Sequence, residues 1–102
     1  MIKNFKTYSI AVEFYHQACA LRLPGPLQDQ CRRAASSIAL NLAAGAGRGT
    51  GADQARFFAI AFGSLRECQA ILDLAGARPK LVALADKLAA HLYKLIQCCK
   101  AA

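Results

Sequence analysis

The chain has no tryptophan, one methionine and three prolines, and it is short of acid: six Asp and Glu stand against thirteen Lys and Arg. With so few carboxylates, no pair is spaced for acid–base work, and a net charge of +7 is left over. An excess of that size in a small protein suggests an acidic partner, nucleic acid foremost, the alternative being that it only keeps an apolar protein in solution. Long apolar runs are missing too. The longest uncharged stretch, Ala34 to Gly47, is too short and too rich in alanine and serine to span a bilayer. The five cysteines, at 19, 31, 68, 98 and 99, are odd in number and contain no C-x-x-C, which argues against a disulfide framework or a zinc site. Cys19, Cys31 and Cys68 fall on apolar stripes, a use of cysteine that fits a reducing cytoplasm. The opening MIKNFKTYSIAVEF has neither a continuous apolar core nor a cleavage pattern, so no secretory signal is expected there.

What is present in abundance is helix-forming apolar sequence. Hydrophobic residues make up 56% of the 102 positions, much of it alanine, and no segment alternates as a strand would. Three breaks divide the chain: Leu23-Pro24-Gly25-Pro26, the glycine-rich run from Gly45 to Gly51, and Gly76-Ala77-Arg78-Pro79. The four segments between them carry apolar residues at steps of three and four. Phe5, Tyr8, Val12, Tyr15 and Cys19 make one stripe on the first, with Ala11, Phe14, Ala18 and Leu21 beside it. Leu27, Cys31, Ala34, Ile38 and Leu42 form the seam of the second. Phe58, Ala61, Leu65, Cys68 and Leu72 form that of the third, flanked by Phe57, Ile60, Ile71 and Leu74. The fourth reads Leu81, Leu84, Leu88, Leu92 and Leu95. The expectation is an all-α, single-domain protein over residues 1–102, an antiparallel up-down-up-down four-helix bundle with short connections. Thr50 or Asp53 is placed to cap the third helix, and Pro79 to open the fourth. Two apolar stripes on one helix exceed what one core requires, and the surplus predicts self-association.

Four polar residues sit among the apolar ones: Ser37 and Asn41 four apart on the second helix, Ser64 and Glu67 three apart on the third. Burying them costs free energy unless they are bonded, so a structural network across the bundle is expected, with a small-molecule site around Asn41, Ser64 and Glu67 as the alternative. The run Gly45-Ala46-Gly47-Arg48-Gly49-Thr50-Gly51 lacks the Lys-Ser/Thr ending of a phosphate loop and follows no strand, and it reads as a helix cap and turn. Lys80, Lys87 and Lys94 recur by sevens along one face of the fourth helix, with Arg78 ahead of them and Asp86 the only carboxylate interleaved. Arg32, Arg33 and Arg48 mark the two ends of the second. These six, Arg32, Arg33, Arg48, Lys80, Lys87 and Lys94, are the candidate contacts to a phosphate backbone or an acidic partner. His16 and His91 have no ligand-spaced companions, and no nucleophile–base set is present. No metal, cofactor or catalytic residue is expected, and the chain reads as non-enzymatic.

Two blocks carry a resemblance. Gln30, Arg33, Ala34, Ser37, Ile38, Asn41, Leu42, Ala43, Gly45, Gly47 and Arg48 fit Q-x-x-R-A-x-x-S-I-x-x-N-I-A-E-G-x-G-R, and Phe57, Ala61, Gly63, Ser64, Leu65 and Glu67 fit F-x-x-x-A-x-G-S-L-x-E. In this the chain resembles the four-helix-bundle family of the 23S rRNA intervening-sequence protein, which also takes in the accessory protein of diversity-generating retroelement reverse transcriptases. It departs from the pattern at Ala44, where the family has glutamate, and in an abbreviated turn at Gly25-Pro26. The resemblance implies an up-down bundle assembled into a ring, a homopentamer, with a role tied to RNA or to a reverse transcriptase. An accessory scaffold that binds another protein and touches no nucleic acid is the alternative.

Overall fold

A computed structural model describes residues 5–76 and 78–101. The first four residues of the stretch read for a targeting signal, and Ala77 of the third break, lie outside them. Four helices account for most of the chain: α1 (Lys6–Cys19), α2 (Leu27–Ala46), α3 (Gly51–Ala75) and α4 (Pro79–Ala101). No strand occurs among the described residues. The molecule is elongated, 41 × 21 × 20 Å.

The helix ends follow local chemistry. Thr50 has extended backbone angles and its hydroxyl accepts from the Asp53 N–H at 3.2 Å, closing one of the free donors of α3. Gly76 ends α3 at φ +88°, a conformation that a side chain would strain. Pro79 opens α4, where its missing N–H has no partner to lose. The second break is shorter than the glycine run suggests. Gly45 is not part of the turn: it lies inside α2, buried, because Phe58 of α3 packs directly on its backbone.

The core runs the length of the bundle: Ile10, Phe14 and Ala18 of α1, Cys31, Ile38 and Leu42 of α2, Phe58, Leu65, Cys68 and Leu72 of α3, and Leu81, Leu88 and Leu92 of α4. On α1 the stripe that fills it is the one through Ala11, Phe14 and Ala18. Tyr8, Val12, Tyr15 and Cys19 flank it, half-buried. On α4 Ala85 and Ile96 join Leu81, Leu88 and Leu92 on the inner face, with Leu84 and Leu95 only half-buried. Each helix touches two others: α1 with α2 and α4, α3 with α2 and α4. α2 and α4 are therefore diagonal. Along the α2–α3 seam Ser37 meets Ser64 while Gly45 meets Phe58, so the partners on α3 descend in number as those on α2 rise. Part of the apolar surface stays outside. Leu40 is 68% exposed, Ile60 45% and Leu74 75%, joined by Val82 and Tyr93 on α4.

Candidate nucleic-acid interface

All six candidate cations are exposed, and the helices place them in separate groups. Arg32 and Arg33 lie in the second turn of α2, beside the α1–α2 connection. They wall an open depression of about 480 Å³ with Pro26, Asp29 and Gln30. Arg32 also faces the other side of the connection, where it shares a pocket with Arg22 and Leu21. Leu21 in turn lines a third depression with Arg78, Lys80 and Gln17. The turn after α1 thus collects Arg22, Arg32, Arg78 and Lys80 around Leu21, with Arg33 next to Arg32 on the far side of the connection. Arg22 was not among the residues the sequence pointed to, and only its place in a turn between two helices hints at it.

Carboxylates do little to neutralise Arg32, Arg33 and Lys80. Arg32 stands 3.9 Å from Asp29, a long and largely exposed contact of small energetic weight. Among the described residues, Arg33, Lys80, Lys87 and Lys94 have no carboxylate partner. Lys87 and Lys94 continue from Lys80 along α4, about 10 and 21 Å further at 1.5 Å per residue.

Arg48 is not brought to that cluster, since the fifteen residues of helix and turn after Arg33 carry it about 22 Å away. It stacks instead on Phe57, its guanidinium carbon 4.5 Å from the ring centre, while Arg56 approaches the same ring at 4.7 Å. Arg56 reaches Asp53 at 3.8 Å. A ring that holds two guanidinium groups restrains both. Arg56 is a second cation that sequence spacing did not single out, although Phe57 beside it was the available signal.

The polar positions divide three to one. Ser64 Oγ donates to Ser37 Oγ at 2.8 Å, and Asn41 Nδ2 donates to the Ser37 carbonyl at 2.9 Å and to its hydroxyl at 3.1 Å. This links α2 to α3 at the edge of the core. Glu67 is exposed and stands outside the set, which corrects its expected place in the network. Three residues past Ser64 turn a helix about 60°, and Ser64 already sits at the margin of the buried stripe, so that turn carries Glu67 to the outer face. The same displacement separates it from Asn41, and the three residues considered for a small-molecule site do not converge.

No group of His, Cys, Asp and Glu suited to a metal ion occurs among the described residues. All five cysteines are free thiols. Cys68 and Cys31 are both buried in the core, and the influence of Cys31 together with burial pushes the Cys68 thiol well above the ordinary range, the opposite of an activated nucleophile. Tyr15 is likewise raised, by its hydrogen bond to Cys19, with Arg32 opposing. No helix among the described residues is long and apolar enough to cross a membrane.

Residues 5–101 match the family described as 23S rRNA-intervening sequence protein. No curated protein matches the chain. With nearly its whole length matched, the chain belongs to the 23S rRNA-intervening sequence protein family.

Proposed function

We propose that this member of the 23S rRNA-intervening sequence protein family is a non-enzymatic, antiparallel up-down-up-down bundle, a cytoplasmic homo-oligomer that binds nucleic acid through its phosphate backbone. The observation that carries the reading is the set of exposed cations without carboxylate partners, Arg33, Lys80, Lys87 and Lys94, beside the weakly paired Arg32 and the ring-stacked Arg48. Backbone contacts of this kind give affinity without strong sequence preference. Assembly, in the pentameric form the family resemblance implies, rests on the exposed Leu40, Ile60 and Leu74, which a lone protomer leaves in water.

Binding of RNA and DNA duplexes, followed by fluorescence anisotropy between 50 and 200 mM salt, tests the reading. If all six cations meet phosphates on one duplex, log affinity falls with log salt at a slope of about −5, and each Lys→Gln change lowers that slope by about 1. Absence of binding at the lowest salt ends the proposal. A second reading is favoured by the same apolar residues: a scaffold that covers Leu40, Ile60 and Leu74 with another protein, a reverse transcriptase for example, and touches no nucleic acid. The salt-dependent binding measurement separates the two, and light scattering on the purified chain tests assembly, since a strict monomer takes away the case for it.

A further inference from the structure

Beside the α1–α2 turn, an open pocket of about 430 Å³ is lined by Cys19, Ala20, Leu21, Arg22, Leu23, Gln28 and Arg32. The side chain of Gln28 fixes its character. Its Oε1 accepts from the Leu23 backbone N–H at 3.0 Å, and that donor dictates which way the amide is turned. The Nε2 group is left buried with no hydrogen-bond partner in the protein. An unpaired buried NH₂ is costly enough that a native fold rarely keeps one without a ligand or ordered water against it. The charged side chains of the pocket lining are Arg22 and Arg32. Asp29, the carboxylate nearest Arg32 at 3.9 Å, is not part of the lining.

A glutamine with an unpaired amide donor and two arginines lining one pocket suit an oxyanion of planar or tetrahedral shape, and guanidinium forks suit phosphate above all. We infer that this pocket holds a phosphate group, bound by Gln28 Nε2, Arg22 and Arg32. The pocket has room beyond the oxyanion for whatever carries it. For its natural source, the phosphodiester of a nucleic-acid strand, the inference rests on the function proposed above; the pocket itself does not.

The test uses ¹⁵N-labelled full-length protein titrated with inorganic phosphate at constant ionic strength. The side-chain amide signals of Gln28 are expected to shift saturably, while those of the exposed Gln97 stay still. Gln28→Glu keeps an oxygen for the Leu23 N–H and replaces the donor with a repelling carboxylate. Phosphate affinity, read from the backbone amides of Arg22 and Leu23, then falls roughly ten-fold or more. Gln97→Glu changes the net charge equally and leaves the affinity within a factor of two. Arg32→Gln, which leaves the Leu23 contact untouched, repeats the loss if Gln28→Glu does not fold. A Gln28 amide that ignores phosphate in the folded protein, or a Gln28→Glu loss no greater than that of Gln97→Glu, overturns the inference and leaves water as the partner of Nε2. Adding a short single-stranded RNA identifies the source. RNA that displaces phosphate places a strand in the pocket. RNA that binds wild type and Gln28→Glu alike removes the pocket from the nucleic-acid reading and leaves both otherwise standing. A phosphate response with no RNA binding sinks that reading and leaves a pocket for a small phosphate-bearing molecule.

Discussion

Gly45→Ala opposes two effects whose sizes follow from the structure. In an unencumbered helix the change is favourable by about 1 kcal/mol, because alanine restricts the unfolded chain and is the better helix former. Gly45 is encumbered. A Cβ built there lies 2.5 Å from Cε1 and 2.9 Å from Cδ1 of Phe58, and 3.1 Å from Cβ of Phe57. Phe58 is 2% exposed and wedged between α2 and α3, so the ring has no open side to rotate into. Overpacking of this kind costs about 1–3 kcal/mol, and the expected net effect is a loss of about 0–2 kcal/mol. The two contributions are separable by a double-mutant cycle with Phe58→Leu, which removes the ring atoms that clash. In the Phe58→Leu background Gly45→Ala should recover most of its helix gain, giving a coupling of at least about 1 kcal/mol between the positions. Urea denaturation at fixed protomer concentration measures all four proteins, and 1 kcal/mol corresponds to a Tm change of roughly 4–8 °C in a chain of this length. Additivity within about 0.5 kcal/mol refutes the packing argument, as does a Gly45→Ala protein more stable than wild type.

Three further outcomes are expected. Ser64→Ala removes the donor to Ser37 and should cost about 0.5–1.5 kcal/mol, whereas Glu67→Ala, on the outer face, should stay within about ±0.5 kcal/mol; reversal of that order in thermal melts returns Glu67 to the network. Thr50→Ala deletes the cap of α3 and should cost about 1 kcal/mol, with Thr50→Ser close to neutral; equal losses in both variants mean the hydroxyl is not what matters. Timed alkylation read by mass spectrometry should modify exposed Cys98 first and reach Cys31 and Cys68, both without exposed surface, only on unfolding; early labelling of either core thiol contradicts the packing of α2 on α3.

How much of this was legible beforehand depended on whether a residue's role is set by its own helix or by a neighbour. Steps of three and four placed the seams of α2 and α3 because their period belongs to a single helix, and Thr50 and Pro79 announced their helix ends through their own side chains. Sequence alone puts Gly45 in the turn, because the reason for glycine there is the ring of Phe58, thirteen residues on and in another helix. Spacing alone puts Glu67 with Ser64, because a step of three along a helix does not say how far round the core extends. The two stripes on α1 were both visible, but which of them turns inward is decided by α2 and α4. The cations show the same division most sharply. A row by sevens is visible on α4, yet Arg22 gains a role only when the turn after α1 folds against α2. Arg56 joins Arg48 only because Phe57 stands between them. The pocket at Gln28 depends on an acceptor held by a backbone N–H five residues away, a contact with no signature in spacing or composition. In this chain periodicity specifies the bundle, and contacts between the helices specify what its surface offers to a ligand.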